Sequence, residues 1–187
     1  MSGTFLSYRR DDTSPYAGRI HDRLIQRFGV DRVFMDVDHI APGEDFVEAI
    51  ETSVAAADIV LVMIGPRWLA RDGAGGSRLE DPKDFVRLEV CAALQRKITV
   101  IPVLVGGASI PREEDLPSDL GALTRRHALT ISDERFHTDV SRLIESIEMR
   151  LGKDAGNTNS SSTRIHRYAL WGIAGAVIAA LAAGASL

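Results

Sequence analysis

The sequence of 187 residues contains a single cysteine, Cys91, and no long run of lysine or arginine. One cysteine excludes a disulfide framework within the chain and a zinc site built on cysteines, and it fits a reducing compartment. A formal net charge of −4 argues against an extended nucleic-acid-binding surface. Apolar residues make up 45% of the chain, which is sufficient for a packed core and excludes global disorder.

Motifs of several common α/β proteins are also missing. The chain has no Gly-x-x-x-x-Gly-Lys loop, no Gly-x-Gly-x-x-Gly between a strand and a helix, and no Gly-x-Ser-x-Gly elbow. Its five histidines are scattered without ligand spacing, so we expect no metal site. A response-regulator receiver would need an aspartate after the third strand and a lysine after the fifth, where this chain has Gly65 and Ser132.

The C-terminal segment 168–187 (YALWGIAGAVIAALAAGASL) carries no charge. As a helix it would span about 30 Å, the thickness of a hydrocarbon core. Tyr168 and Trp171 lie at its start, after Arg164 and Arg167. This pattern predicts a single-pass anchor in the cell inner membrane, in contact with lipid, with the N-terminal domain in the cytoplasm. A buried helix of an oligomer is the alternative, and clustered small-residue helices that perturb the bilayer are another.

The composition divides the chain into three segments. Residues 1–152 form the predicted globular domain, and Gly152 is expected to end its last helix. Residues 153–167, which include NTNSSST, form a polar linker with a basic flank. The anchor occupies 168–187.

Within residues 1–152, apolar runs alternate with stretches of helical periodicity. The pattern predicts helices at 15–28, 46–57, 84–97 and 136–151, and strands at 4–8, 32–35, 59–64, 98–105 and 128–131. The runs IVLVMI and ITVIPVLV are typical of parallel strands buried on both faces. We therefore predict an α/β fold, a doubly wound parallel sheet with helices on both faces and ligands at the carboxyl ends of its strands.

Four segments resemble the Toll/interleukin-1 receptor (TIR) domain family, bacterial type. FLSYRRDD at 5–12 resembles its first box, and VFMDVDHIAPGEDF at 33–46 resembles its second strand and the BB loop. IVLVMIGPRWL at 59–69 resembles the third strand, and DFVRLEVCAALQRKITVIPVLV at 84–105 resembles the glutamate-bearing helix and fourth strand. The resemblance covers about residues 3–151 and implies a flavodoxin-like, five-stranded TIR fold. Since many members cleave NAD, it also implies that NAD is a substrate here, with no separate cofactor.

The same resemblance assigns candidate site residues. The family's catalytic glutamate corresponds to Glu89, and Phe85, one helical turn earlier, stands where many members have tryptophan. The substrate-binding candidates are Arg9, Arg10, Asp36, Phe46, Trp68 and Phe85. The arginines would bind the diphosphate as bidentate donors, and an aromatic side chain would stack on a ring.

Each candidate also has an interpretation without function. Glu89 could be a solvated acid of an amphipathic helix, and Arg9 and Arg10 could pair with nearby aspartates (Asp11, Asp12 or Asp36). Trp68 could be a core residue at a strand end, and Asp36 could cap the turn after its strand. We interpret Cys91 as a packing residue.

A single carboxylate is sufficient for NAD cleavage. The nicotinamide leaves from a pyridinium and departs neutral, so that its departure needs no general acid, whereas ordinary glycosidases need two carboxyl groups. An ionised carboxylate in a partly dry cleft can stabilise the oxocarbenium-like ribose. The resemblance, together with the predicted anchor, thus implies a membrane-tethered NAD glycohydrolase that self-assembly activates, in bacterial defence or stress signalling. The product could be ADP-ribose or a cyclised isomer.

The alternative is a non-enzymatic adaptor that signals by homotypic TIR–TIR contacts. The resemblance implies that such contacts form through the BB loop, here about 36–46, which mixes acidic and apolar side chains. The two functions are compatible, because in enzymatic relatives stacking often completes the active site. A membrane anchor would raise the effective concentration of the chains in either case.

Overall fold

The computed structural model describes residues 3–35, 45–70 and 76–157. The helices and strands are β1 (Thr4–Ser7), α1 (Arg10–Phe28), β2 (Val33–Met35), α2 (Phe46–Ala55), β3 (Ile59–Ile64), α3 (Phe85–Gln95), β4 (Thr99–Val105), β5 (Leu129–Ile131) and α4 (Phe136–Asn157). Short 3-10 segments lie at Val30–Arg32, Arg78–Glu80, Glu113–Asp115 and Ser118–Arg125.

The five strands form one parallel sheet in the order β2-β1-β3-β4-β5. This is the flavodoxin-like order, which confirms the predicted sheet. The chain leaves β1 toward β2 on one side and then crosses to β3 on the other. The strand order therefore reverses between β1 and β3, where Ser7 lies opposite Val62 in the register. Ligands of such sheets bind at the carboxyl ends of the strands beside this reversal.

Helices cover both faces of the sheet, as predicted. All six residues of β3 are buried, because alternate side chains feed the two cores. One core lies under α2 and α3 and includes Phe5, Val60, Val62 and Val90. The other lies under α1 and α4 and includes Leu6, Leu61, Met63 and Val140.

The start of α1 differs from the prediction. The helix begins at Arg10 rather than at Pro15, which lies inside it. Proline has no N–H to donate to the carbonyl oxygen of Asp11. That oxygen instead accepts a hydrogen bond from Nη1 of Arg67 at 3.1 Å. A bond from outside the helix thus replaces the one that Pro15 removes.

The end of α4 differs from the helix end predicted at Gly152. The helix passes through Gly152 and continues to Asn157, so that the first part of the predicted linker is helical. An interior glycine costs a helix only about 1 kcal/mol relative to alanine and does not by itself end it. The rest of the linker and the predicted anchor, 158–187, lie outside the described residues. Within the ranges that are described, no helix is long and apolar enough to cross a membrane.

Candidate functional site

Glu89 lies on the face of α3 that packs against the sheet. Val86, Glu89, Val90 and Ala93 occupy the i, i+3, i+4 and i+7 positions of one helix face and form a buried stripe of this helix. Glu89 is only 6% exposed, although its neighbours on the stripe are apolar. Its alternative interpretation as a solvated acid is therefore wrong. A buried carboxylate on a helix is uncommon and marks this position as a candidate site.

Arg9 forms a buried ion pair with Asp84, the residue that caps the N-terminus of α3. Its Nη1 lies 2.8 Å from Oδ2 of Asp84, and its Nη2 lies 3.1 Å from Oδ1. The two side chains are 3% and 9% exposed. The alternative that Arg9 pairs with a nearby aspartate of its own segment is not what the structure shows. The partner is 75 residues away in the sequence.

The two phenylalanines among the candidates lie in contact. Phe46 is the first residue of α2, and Phe85 is the first residue of α3. Their ring centroids are 5.5 Å apart, and the ring planes meet at 65°. Phe85 is nevertheless 55% exposed, so that it offers a ring to solvent near the start of α3. The structure thus brings Phe46, Phe85 and the Glu89 helix to one region.

The remaining candidates are distributed differently. Arg10 is an exposed residue at the start of α1. Trp68 is 1% exposed and belongs to the core under α2 and α3, which agrees with its interpretation as a packing residue. It also lines a cavity of about 310 Å³ beside the loops that follow β3 and β4. Asp36 lies outside the described residues, as does most of the predicted BB loop.

Sequence reasoning missed an ion-pair cluster between the start of α1 and the segment before α3. Asp11 accepts hydrogen bonds from Arg78 at 2.9 Å and lies 3.4 Å from Arg67. The hydrogen bond from Arg78 holds the pKa of the Asp11 carboxyl below its usual value. The charges of RRDD were visible in the sequence, but their partners lie too far along the chain to be inferred from spacing.

A second arginine, Arg87, also fixes the first turn of α3. Its side chain donates to the carbonyl oxygens of Leu79 and Glu80, at 3.0 and 2.9 Å. It also pairs with Asp119 at 3.0 Å. The start of α3 is therefore connected to the segment before it and to the 3-10 helix Ser118–Arg125.

The environment of Cys91 agrees with a packing role. Burial raises the pKa of its thiol, which opposes formation of a reactive thiolate. The described part of the chain places no group of three His, Cys, Asp or Glu side chains so that it could hold a metal ion.

The strand order defines a flavodoxin-like α/β domain. The buried Glu89 marks a candidate site in the first half of α3. The model of the TIR domain family matches residues 4–144. The chain therefore belongs to the TIR domain family.

Two curated relatives carry names that state an activity. The chain is 31% identical over 117 residues to NAD(+) hydrolase sarm1 of Drosophila melanogaster. The aligned segment covers 62% of this chain and 8% of the relative. It is 30% identical over 124 residues to NAD(+) hydrolase tir-1 of Caenorhabditis elegans, covering 65% of this chain and 12% of the relative. The chain thus matches only a small part of each relative.

Solved structures show the same fold at low sequence identity. The TIR domains of the activated Roq1 resistosome match with a TM-score of 0.55 and 12% identity, over 79% of this chain and 99% of that one. A prokaryotic SEFIR domain matches with a TM-score of 0.50 and 20% identity, over 76% of this chain and 96% of that one. At these identities the matches establish the fold alone.

Proposed function

We propose that this TIR domain protein is an NAD glycohydrolase and that Glu89 is its catalytic residue. The observation that carries the proposal is the burial of this carboxylate, 6% exposed, in an otherwise apolar stripe of α3. Glutamate is seldom this deeply buried, and ionisable groups buried on a helix are frequent at functional sites. The two relatives named as NAD(+) hydrolases support the same activity.

The proposed reaction breaks the bond between nicotinamide and ribose. The leaving nitrogen is a pyridinium, so that the bonding pair neutralises it and no proton has to be supplied. Positive charge then develops on the ribose ring. The side-chain oxygens of Glu89, held on a helix close to the ribose, would stabilise this charge electrostatically. Water, or a nitrogen of the adenine, then bonds to the anomeric carbon.

The remaining candidates would bind and orient NAD. The exposed ring of Phe85, held at its edge by Phe46, offers a stacking surface one helical turn from Glu89. Arg10 is exposed at the carboxyl end of β1, where the guanidinium could bind the diphosphate. Asp36 and Trp68 stay candidate substrate contacts from the sequence, Trp68 as a second aromatic ring that could stack on NAD.

We also propose that activity depends on self-assembly and on tethering to a membrane. Phe85 exposes more than half of its surface in the single chain, so that a second copy could cover it together with the bound substrate. The uncharged segment 168–187, preceded by two arginines, would hold the copies in one plane of the inner membrane. Confinement to a plane raises the effective concentration for assembly. A role in bacterial defence or stress signalling belongs to this proposal.

The test measures nicotinamide release from NAD by the full-length chain reconstituted in liposomes. We expect wild-type turnover, and a loss of at least about 100-fold in Glu89→Gln, since the electrostatic stabilisation of the transition state is removed. Glu145→Gln is the matched control, because Glu145 is an exposed acid of α4. Equal turnover by wild type and Glu89→Gln would refute the role of Glu89.

Lack of turnover by the wild type, despite assembly in the liposomes, would favour the non-enzymatic adaptor. The exposed Phe85 beside Phe46 would then be part of a contact surface between copies. Product analysis by chromatography separates ADP-ribose from a cyclised isomer in the same experiment.

A further inference from the structure

We propose that Arg9 is a positioning residue, which holds the first turn of α3 against the carboxyl end of β1 through its ion pair with Asp84. In this way it fixes the positions of Phe85 and Glu89 on the same helix. This inference rests on the proposed function, and it reassigns Arg9, which the sequence placed among the diphosphate ligands.

The geometry of the pair is that of two parallel hydrogen bonds. Nη1 and Nη2 of Arg9 each donate to a different carboxylate oxygen of Asp84, at 2.8 and 3.1 Å. Such a bidentate pair fixes direction as well as distance. Because both side chains are buried, water and salt screen the pair much less than a surface ion pair.

The backbone of Arg9 is fixed as firmly as its side chain. Arg9 is the N-cap residue of α1 and lies two residues after the end of β1. Its amide N–H donates to Oγ1 of Thr13 at 3.1 Å, and its carbonyl oxygen accepts from the amide of Thr13 at 2.8 Å. One residue therefore connects β1, α1 and α3, and its side chain has little freedom to follow a ligand.

Asp84 transmits this constraint to the helix. Its Oδ1 accepts from the amide of Arg87 at 3.0 Å, as an N-cap does, and the same atom accepts from Nη2 of Arg9. Arg9 thus orients the cap, and Phe85 follows the cap directly. Glu89 lies one helical turn after Phe85, so that a shift of the first turn displaces both side chains.

The burial of the pair also argues against a direct contact between Arg9 and the diphosphate. Turning its guanidinium toward a ligand would leave the carboxylate of Asp84 buried without its cation, which is strongly unfavourable. Arg10, the next residue, is exposed. We therefore assign Arg9 to the positioning of α3, whereas Arg10 stays a candidate ligand of the diphosphate.

The test separates positioning from substrate binding by kinetics. Arg9→Lys keeps the charge but loses the two-pronged geometry, and Asp84→Asn keeps a capping oxygen but loses the ion pair. In the full-length chain in liposomes, we expect both to lower kcat for NAD about 100-fold, as for a misplaced reacting group, with a rise in KM no larger than the roughly tenfold rise expected when Phe85 no longer stacks on the substrate. A raised KM with unchanged kcat in Arg9→Lys would overturn the proposal and restore Arg9 as a substrate ligand.

Arg96→Gln is the matched control. Arg96 is the C-cap residue of α3 and pairs with Glu51 at 3.0 Å, but both side chains are about half exposed. We expect its kcat and KM to equal those of the wild type.

Hydrogen exchange without NAD gives a readout that does not depend on activity. The amides of Arg87 and Leu88 donate to the side chain and to the carbonyl oxygen of Asp84. We expect faster exchange at these two amides in both variants, with protection elsewhere in the sheet retained, and no change in Arg96→Gln. Unchanged exchange would overturn the positioning role, whereas an inactive wild type with faster exchange in the variants would refute only the proposed function.

Discussion

Gly65, the residue after β3, is required by a side chain that approaches it from α1. A Cβ at this position would lie 2.5 Å from Oδ2 of Asp12 and 2.6 Å from its Cγ and Oδ1. Gly65 is not among the glycines with positive φ, so that alanine fits its backbone conformation. Gly65→Ala is therefore expected to lower the free energy of unfolding through a steric clash with one carboxylate, that of Asp12.

The magnitude follows from the contact that the carboxylate would lose. Oδ1 of Asp12 accepts from the amide of Arg67 at 3.0 Å. If the methyl group displaces Asp12, this hydrogen bond is lost, which costs about 1.5–3 kcal/mol for a charged acceptor. We expect the free energy of unfolding in urea to fall by this amount, with an unchanged m-value.

Two controls isolate the cause. In an Asp12→Ala background, Gly65→Ala should cost little, so that the double-mutant cycle gives an interaction energy close to the full effect. Gly18→Ala is the same substitution at a position of α1 with no atom within 4 Å of the added Cβ. It should stabilise the protein by about 0.5–1 kcal/mol. Equal costs of Gly65→Ala with and without Asp12 would refute the reasoning.

Two further predictions concern acid stability and substrate stacking. Hydrogen bonds from Ser132 lower the pKa of Asp139, so that its stabilising effect is present above the usual carboxyl pKa of about 4 and is lost as pH falls through its folded-state pKa. Unfolding curves between pH 7 and 2 should therefore show a smaller acid loss in Asp139→Asn than in wild type; parallel losses would contradict this. Phe85→Ala should raise KM for NAD about tenfold, as loss of stacking does, while Phe85→Trp keeps it; an unchanged KM would exclude stacking.

Much of the fold was predictable from local patterns. The uninterrupted apolar run of β3 predicts a parallel strand that is buried on both faces of the sheet, and the helical periodicity of the other segments predicts the helices that cover those faces. The ends of the helices and strands were harder to predict from the sequence. α1 starts at Arg10 because a hydrogen bond from Arg67 compensates for Pro15, and that partner follows a different strand.

In the candidate site, too, some features were predictable from the sequence and others were not. The positions of Glu89 and Phe85 came from the resemblance of one segment, and the structure adds that Glu89 is buried. The partner of Arg9 could not be predicted, because Asp11 and Asp12 lie beside Arg9 in the sequence, whereas Arg9 pairs with the distant cap residue of α3. Long-range ion pairs depend on how whole helices and strands pack together, and short spacings in the sequence contain no information about that packing.

NAD cleavage by Glu89 is the proposal on which the other functional predictions rest. It is tested by nicotinamide release from the full-length chain assembled in liposomes, compared between the wild type and Glu89→Gln. We expect turnover by the wild type alone. Undiminished turnover by Glu89→Gln would rule out this role of Glu89.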